Sequence, residues 1–482
     1  MSFLIFFSDG LAPFIMLNLK RFLSAACGVF VFLVFAISLH ASVLTVTTLD
    51  DTDDSVCDAQ CSMREAISTA SPGDTIIFSR ELRGGTIQLF KTLLIDKWLT
   101  IDGPNKHRIT IQGNNTFRIF HIDNSSSLRV VTLDGLIIQG GNQPDGDGGG
   151  IYMDHNHIGT LNITNCAIIG NSGQRGGGIS TYYGRLFLID STVANNTATA
   201  DYAGGGLDAD HTIVQIMNST ISGNRTTSVI DGAGGIRLNR PKDWFIIGST
   251  IAFNSSNGSS VSSVGGLAAL AGSPGPVDNT ILARNEGLNP DFYGVSSGAR
   301  NSLIGITDYR SGFSTWGNNI TGTIDAPVDP LLGSLADNGG GLPTNALLPG
   351  SPAVDSGNND LSVDRHGDPL TVDQRGYIRP VNSIVDIGSY EFNSQPLATT
   401  STITGQVTDA NGRPVYKAHV SLKRSGIGVK HAITDQFGFY SFVSVPSDIS
   451  YTLECKNKRT AFPMQNVLIE EKVETVNFVE IK

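Results

Sequence analysis

The stretch 148–285 repeats one short pattern five times. Each repeat begins with two or three glycines followed by an isoleucine or leucine, and the phrases are GGGI at 148–151, GGGI at 176–179, GGGL at 204–207, GGI at 234–236 and GGL at 265–267. The apolar residues that close successive phrases are 28, 28, 29 and 31 residues apart. A period of this length indicates a solenoid, in which each repeat covers its neighbour.

A second phrase recurs with the same period and ends in asparagine. It reads CAIIGN at 166–171, STVANN at 191–196, STISGN at 219–224, STIAFN at 249–254 and, more loosely, NTILARN at 279–285. We expect its central apolar residues to point inward and stack, and these are Ile168, Val193, Ile221, Ile251 and Ile281. The residues expected to form an internal hydrogen-bonded ladder are Asn171, Asn196, Asn224 and Asn254.

Composition and local pattern agree with a β protein. Short β-branched runs between turn residues, without helical periodicity, recur three times in each period and favour a coil of parallel strands. The chain has 55 glycines and only 16% charged residues, which suits many turns. Its net charge of -11 argues against nucleic acid as a partner, since binding a polyphosphate requires a basic surface.

The N-terminus has the order of a secretory signal peptide, predicted to span 1–41. Lys20 and Arg21 precede an apolar run that small residues follow. We therefore expect a secreted or cell-surface location, with membrane contact only through this segment. The alternative is an uncleaved anchor, because the run is near the lower length limit for a membrane span. In an oxidising location, Cys57 and Cys61 are expected to form a disulfide.

The segment 42–84 is predicted to cap the solenoid. Ser62 and Glu65 have the spacing of a capping box, which starts a short helix. CSMREA at 61–66, followed by PGDTI at 72–76, resembles the CSLREA motif of secreted bacterial β-helix proteins, with methionine in place of leucine. The resemblance implies a bacterial, extracytoplasmic β-helix protein.

The glycine phrase and its companion asparagine also resemble the repeats of polymorphic outer membrane proteins and of right-handed parallel β-helices in general. This resemblance implies a right-handed coil over 85–300, a handedness that the spacing does not give. The expected fold class is therefore all-β. It consists of a right-handed parallel β-helix with a small N-terminal capping helix, followed by a small antiparallel β-sandwich.

Two further regions follow the repeats. Over 301–392, seven phrases, among them DQRG at 373–376, keep the order of the choice-of-anchor Q region of bacterial surface proteins. That resemblance implies that the region closes the β-helix. After a linker at 393–402, phrases such as ITGQVTD at 403–409 resemble the carboxypeptidase regulatory-like, transthyretin-like domain. This domain is expected over 403–482 as a seven-stranded antiparallel sandwich with an accessory or interaction role, which implies no peptidase activity.

The repeat register predicts an exposed stripe of polar and aromatic side chains. Side chains alternate in direction along a strand, so the residues one and three positions after each inward isoleucine or leucine should face solvent. These residues are Tyr152, Asp154, Ser180, Tyr182, Asp208, Asp210, Arg237 and Asn239, with His155 and His211 beside them. Aromatic rings, carboxylates and an arginine on neighbouring turns predict a sugar-binding face.

The stripe also holds the candidates for chemistry. Asp208 and Asp210 are candidate Ca²⁺ ligands and, together with Arg237, candidate catalytic residues that would act on a uronate. The candidate ligand-binding residues are Tyr152, Asp154, Tyr182, His211 and Asn239. The Gly-His-Gly phrase of polygalacturonase-type enzymes does not occur in the sequence.

These features lead to three hypotheses on function. The first is a structural and interaction protein, adhering to or recognising cell-surface glycans on its β-helix rod. The alternative is a calcium-dependent polysaccharide lyase or glycosidase that acts on an acidic polysaccharide along the stripe. In the third, the C-terminal sandwich recognises the ligand and the rod is a spacer.

Overall fold

A computed structural model describes most of the chain that follows the predicted signal peptide. The described residues are 41–123, 129–154, 159–260, 262–307, 317–396, 400–424, 427–446, 449–457, 460–469 and 473–480. The predicted signal peptide, apart from residue 41, lies outside them, and so does His155. Within the described residues, no helix is long and apolar enough to cross a membrane.

Three long parallel sheets wind around one apolar interior and form a β-solenoid. In the regular turns the chain passes through sheet I, then sheet II, then sheet III, and each strand pairs in parallel with the strand one turn later. Ile151, Ile179 and Leu207, which close three successive glycine phrases, are neighbours in sheet III. The prediction of an all-β chain built on a parallel β-helix is confirmed.

The strands of the solenoid have the following bounds. Sheet I contains Val43–Val46, Asp74–Phe78, Leu99–Asp102, Val130–Asp134, Thr160–Thr164, Arg185–Ile189, Ile213–Met217, Asp243–Ile247, Gly275–Asp278 and Ser296–Arg300. Sheet II contains Thr86–Gln88, Ile109–Gln112, Leu136–Gln139, Ala167–Ile169, Thr192–Ala194, Thr220–Ser222, Thr250–Ala252, Ile281–Ala283, Leu303–Ile304 and Ile320–Thr321. Sheet III contains Leu93–Ile95, Phe120–Ile122, Ile151–Met153, Ile179–Tyr182, Leu207–Asp210, Ile236–Asn239, Leu267–Leu270 and Phe292–Gly294.

Two small parallel sheets lie between sheet II and sheet III along the chain. One contains Asn142–Gln143, Ser172–Gly173, Thr197–Ala198, Arg225–Thr226 and Ser255–Ser256. The other pairs Ala203–Gly204 with Gly232–Ala233. These short strands lie before or at the start of the glycine phrases and bring the chain back toward sheet III.

The inward stack of sheet II follows the predicted register except at its end. The residues that are stacked and fully buried as predicted are Ile168, Val193, Ile221 and Ile251. The prediction for Ile281 was wrong by one residue, because Leu282 pairs with Ile251 while Ile281 pairs with Thr250. The looser NTILARN phrase begins one residue earlier than the others. Ile281 therefore faces outward, where it belongs to a buried apolar cluster that also contains Leu347 and Ile387.

A ladder of asparagine side chains runs along the corner after sheet II. Asn196 Oδ1 accepts hydrogen bonds from the backbone N–H and the side-chain amide of Asn171, at 2.9 and 3.0 Å. The same geometry repeats through Asn224, Asn254 and Asn285. The ladder ends at Asp291, whose carboxylate accepts a hydrogen bond from Asn285 Nδ2. Unlike a further asparagine, a carboxylate has no side-chain N–H that would need the next acceptor. Burial raises the pKa of Asp291 to about 7.

A second ladder, made of hydroxyl groups, was missed at the sequence level. The backbone N–H of Ser191 donates to Ser219 Oγ at 3.1 Å, and that of Ser219 donates to Ser249 Oγ at 3.2 Å. Thr280 and Ser302 continue the series. The serine that begins the STV and STI phrases was the signal for it, because a short hydroxyl side chain can accept from the backbone of the neighbouring turn.

The glycine phrases meet two separate demands of the turn that enters sheet III. Gly176 has a φ of 57°, a region that strains residues with a Cβ. Gly206 lies against the asparagine ladder, and a Cβ there would approach Cγ of Asn224 to 2.9 Å. The glycines therefore give the ladder and the backbone turn room to share one corner.

The N-terminal cap contains the predicted helix, which runs from Met63–Thr69. The capping box is present, with Ser62 and Glu65 each accepting a backbone N–H from the other. Arg64, in the first turn of the helix, donates two hydrogen bonds to the carboxylate of Asp51 at 2.7 and 2.8 Å. A short 3-10 turn follows at Arg80–Leu82. The structure also contains a disulfide that joins the two cysteines of the predicted pair, Cys57 and Cys61.

Residues 331–392, here named the return segment, pack along the side of sheet II. Gln374 Nε2 donates to Thr192 Oγ1 at 2.8 Å, and Thr220 Oγ1 donates to Gln374 Oε1 at 2.5 Å. Ser389 contacts Thr250 one turn further on. The segment contains the antiparallel strands Leu332–Asp337 and Pro343–Leu347 and the 3-10 turn Asn359–Leu361.

The C-terminal region forms two small sheets around its own buried cluster. One contains Thr400–Thr408, Phe439–Pro446, Val473–Thr475 and Phe478–Val479, and the other contains His419–Arg424, Ile427–Ile433, Ile449–Asn457, Thr460–Ala461 and Gln465–Ile469. Seven antiparallel strands were predicted. The described residues show nine strands, and Thr400–Thr408 pairs in parallel with two of them.

Candidate functional site

The outer face of sheet III brings the stripe residues together in register. Tyr152, Ser180, Asp208 and Arg237 are neighbours in one row. Two positions along the strands, Tyr182, Asp210 and Asn239 form a second row. We call these the near row and the far row.

The near row is largely covered by protein, which corrects the expectation of an exposed stripe. Asp208 and Arg237 are 3% and 7% exposed. Ala203–Gly204 passes close to both residues, since the Gly204 N–H donates to Asp208 at 2.8 Å and a Cβ on Gly204 would lie 3.1 Å from Cβ of Arg237. Burial raises the pKa of Asp208 to about 6, although Arg237 acts in the opposite direction. Two of the three candidate catalytic residues are therefore out of reach of a polysaccharide.

The ion pair between these two residues is long. Arg237 Nη1 lies 3.4 and 3.5 Å from the two carboxylate oxygens of Asp208, and its Nε has no hydrogen-bond partner within the described residues. The free-energy cost of removing both charges from water offsets much of their attraction, so a buried pair of this kind is weak evidence for stability. The pair lies beneath Ala203–Gly204 and holds that short strand against sheet III through the Gly204 N–H.

The far row is half-buried and continues into an aromatic cluster at the turn that follows each strand. The rings of Tyr183 and His211 are stacked with centroids 5.0 Å apart, and Tyr182 meets Tyr183 edge to face at 4.9 Å. Lys242 Nζ lies 5.1 Å from the centroid of the Tyr183 ring. We name these four residues the aromatic cluster. Its three rings are partly accessible, and the Lys242 side chain is exposed.

Asp210 connects the far row to this cluster. One of its carboxylate oxygens contacts His211 Nδ1, and the other accepts a hydrogen bond from Asn239 Nδ2 at 3.0 Å. His211 has a φ of 51°, and Tyr183 occupies the same turn position one turn earlier with a φ of 62°. The left-handed turn thus places a ring beside the end of each strand, and the carboxylate holds the imidazole in one orientation.

A second group of polar and aromatic side chains lies toward the N-terminal end of the same face. The Arg118 guanidinium stands over the Tyr152 ring at 4.5 Å. His121 Nε2 lies 3.2 Å from Asp154 Oδ2, and its ring is 5.5 Å from that of Tyr152. Tyr152 and Asp154 are the predicted ligand-binding residues at this end of the stripe. Both already contact other side chains of the protein.

The proposed calcium ligands do not assemble into a metal site. Within the described residues, no group of three His, Cys, Asp or Glu side chains is arranged to hold a metal ion. Asp208 is turned to Gly204 and Arg237, while Asp210 is turned to His211 and Asn239. Calcium usually takes six to eight oxygen ligands, and these carboxylates already satisfy other partners.

Sequence reasoning missed four side chains of this face. Tyr183 and Lys242 belong to the aromatic cluster, and Arg118 and His121 belong to the N-terminal group. Tyr183 could have been found, because it takes the place of His211 in the preceding repeat. Lys242 lies in the next connection and reaches the cluster only through the folded chain.

A cavity of about 600 Å³ lies at the contact between the return segment and the corner of sheets I and II. Burial raises the pKa of Asp134 to about 6 and that of Asp190 to about 7 there. Arg108 donates to the carbonyl of Gly340 at 3.1 Å, and Arg375 donates through Nε and Nη2 to one oxygen of Asp373, Oδ2, at 2.9 and 2.6 Å. One charged group of this cavity, Arg108, thus binds the return segment to the solenoid.

Comparison with known families identifies the last region of the chain. Residues 402–479 match the family described as the carboxypeptidase regulatory-like domain. The C-terminal region is a carboxypeptidase regulatory-like domain. Its first and last strands as the structure has them, Thr400–Thr408 and Phe478–Val479, correspond closely to the limits of the match.

The whole chain was also compared with curated proteins and with solved structures. No curated protein matches it. Among solved structures, it is similar to the crystal structure of pectate lyase Pel9A, with 13% sequence identity and a TM-score of 0.42. That similarity covers 74% of this chain and 98% of the other.

Proposed function

We propose that this protein is a secreted or cell-surface glycan-binding protein whose ligand lies across the outer face of sheet III. The observation that carries the proposal is the aromatic cluster, in which two tyrosine rings and an imidazole meet at a half-buried surface. Aromatic side chains offer an apolar face for the C–H surface of a sugar, and they carry a polar group at the edge. Asn239 lies alongside to bind a hydroxyl group.

The extent of the face suits a chain of several sugar units. Neighbouring strands lie about 4.8 Å apart, so the distance from Tyr152 to Asn239, three turns later, is about 15 Å. Polar or aromatic side chains occur on every turn in this interval. Lys242, which is exposed, and Arg118, which is half-buried, favour a ligand that carries carboxylate groups.

The predicted signal peptide supports the location in this proposal. The disulfide of the N-terminal cap is also typical of proteins that fold in an oxidising compartment.

The proposal is tested by binding of the purified protein to immobilised neutral and uronate-containing polysaccharides. Tyr183→Ala is expected to weaken binding about tenfold, or about 1.4 kcal/mol. Tyr416→Ala is the matched control, because Tyr416 is an exposed tyrosine of the carboxypeptidase regulatory-like domain. If Tyr416→Ala abolishes binding and Tyr183→Ala leaves it unchanged, recognition belongs to that domain and the proposal is wrong.

A further inference from the structure

We infer that the aromatic cluster also cleaves a bound uronate glycan by β-elimination, with His211 as the base. The inference rests on the proposed glycan-binding function of the same face. It differs from the expectation formed on the sequence, which assigned this chemistry to Asp208 and Arg237 and to calcium. Those two side chains are buried, and the inferred reaction requires neither of them.

The contacts of His211 are those of an oriented base. Its Nδ1 contacts Asp210, and that carboxylate is held from its other side by Asn239 Nδ2 at 3.0 Å. A carboxylate at Nδ1 favours the tautomer with the proton on that nitrogen, which leaves Nε2 with its lone pair. No hydrogen bond to His211 Nε2 occurs within the described residues. The imidazole side chain is 26% exposed, so substrate can reach it.

A cation lies near this base. Lys242 Nζ is 5.1 Å from the centroid of the Tyr183 ring, and the His211 ring is 5.0 Å from the same centroid. Both groups therefore lie beside the same tyrosine ring, within about 10 Å of each other. The hydrogen on C5 of a uronate becomes acidic enough for removal only when the adjacent carboxylate is neutralised. The Lys242 ammonium is positioned to supply that neutralisation.

The inferred step is balanced without an oxidant, a reductant or a metal ion. His211 Nε2 takes the proton from C5, and the C–H electron pair forms the double bond between C4 and C5. The bond between C4 and the glycosidic oxygen breaks, and its electron pair leaves with that oxygen. Water protonates the departing oxygen, and the imidazolium later returns its proton to water. The products are a shortened glycan and an unsaturated uronate end.

Asp210 is a positioning residue in this scheme, because it acts through His211. Asp210→Asn is expected to lower kcat about tenfold with KM within twofold of its original value, since the ring loses its fixed tautomer while the sugar contacts remain. Asp210→Glu should restore part of kcat. A merely structural role would instead change the thermal stability and KM together.

The test incubates the purified protein, with a chelator present, with polygalacturonate and with alginate. Ultraviolet absorbance reports the unsaturated product, and biolayer interferometry reports binding of the same polymers. His211→Gln is expected to reduce product formation at least 100-fold while binding stays within threefold. His366→Gln, which changes an exposed histidine of the return segment, is the matched control and should retain full activity. Circular dichroism melting confirms that each variant is folded.

The outcomes separate this inference from the proposed function. Binding of either polymer without product overturns the elimination reaction and leaves glycan binding in place. Product formation that survives His211→Gln overturns the role of His211. Absence of both binding and product contradicts the proposed function itself. Lys242→Ala gives a second check, because it should reduce product formation even if the His211 variant fails to fold.

Discussion

The outer faces of sheet II and sheet III start from the same repeat but end in different surroundings. On sheet II, outward hydroxyl groups such as Thr192, Thr220 and Thr250 are buried beneath the return segment. On sheet III, the short strands before the glycine phrases cover only the near row. The far row and the aromatic cluster stay half-buried. One face is therefore occupied by the chain itself, and the other stays partly open to solvent.

The chemistry of the two faces follows from this difference. Sheet II presents small hydroxyl side chains, which the side chains of Gln374 and Ser389 meet in fixed geometry. Sheet III presents large rings and charged groups at the ends of its strands. Small polar groups suit a permanent contact that must exclude water, whereas large amphipathic rings suit a surface that exchanges water for ligand.

The largest expected effect comes from the covered face. Arg379 is fully buried, lies 3.4 Å from Glu391, and donates to the carbonyls of Asp386 and Gly388 at 2.5 and 2.9 Å. Arg379→Ala should lower the free energy of unfolding by about 3 kcal/mol, because it leaves a buried carboxylate without its cation. Urea denaturation measures this loss.

The matched control for that variant is an exposed arginine. Arg284→Ala removes an exposed ion pair with Asp329, at 3.8 Å, and should cost less than about 1 kcal/mol. Equal losses in the two variants would show that the return segment contributes nothing special to stability, and the contrast between the two faces would then fail.

The asparagine ladder lies at the corner that joins the two faces, and breaking it should affect both alike. Asn224→Ala leaves the backbone N–H and amide of Asn196 without their acceptor and the carbonyl of Val193 without a donor. We expect a loss of about 2 to 3 kcal/mol in the free energy of unfolding. Asn411→Ala, at an exposed turn, is the control. An Asn224 variant that weakens glycan binding without any loss in the free energy of unfolding would contradict this role.

Stability should also depend on pH through the end of that ladder. Burial raises the pKa of Asp291 to about 7, above an unfolded value of about 3.9. The folded chain therefore keeps this proton in the interval in which the unfolded chain loses it, so the free energy of unfolding falls as pH rises from about 4 to about 7.

The variant Asp291→Asn tests the assignment of this pH dependence. It should reduce the fall by about 1 to 2 kcal/mol, measured by urea denaturation at several pH values. The absolute stability of the variant is a separate matter, because Asp291 Oδ2 accepts the Ile306 N–H at 2.7 Å and an amide nitrogen could not. An unchanged slope would assign the pH dependence to other carboxyl groups. Asp360→Asn, on an exposed site, is the control.

The smallest expected effect compares one serine beneath each face. Ser389 meets Thr220 and Thr250 at 2.8 and 3.2 Å, so Ser389→Ala should cost about 1 kcal/mol. Ser180 lies in the near row of sheet III, and Ser180→Ala should change the free energy of unfolding by less than about 0.5 kcal/mol. Thermal melts of the two variants side by side measure the difference. If Ser180→Ala lost more free energy of unfolding than Ser389→Ala, the near row would be packed as tightly as the covered face of sheet II, and the contrast between the two faces would weaken.

Much of the solenoid could be predicted because its physical determinants are local and repeated. The inward stack and the asparagine ladder follow from residues that recur at one period, and only the looser last phrase misled the register at Ile281. The candidate site was predicted less well. Register placed Asp208 and Arg237 on the correct face, but their burial depends on Ala203–Gly204, whose return over the sheet has no strong sequence signal.

The sequence by itself determined the period, the inward residues, the glycine turns and the identity of the side chains that share sheet III. Each of these depends on contacts with the next copy of the same pattern, so one repeat contains the information. The tertiary structure alone decided which outer face is covered. The covered face depends on where the return segment packs, through contacts between residues more than a hundred positions apart, such as Gln374 and Thr192. The tertiary structure also brought Lys242 to Tyr183 in the aromatic cluster. No periodic pattern encodes such contacts, because each occurs only once.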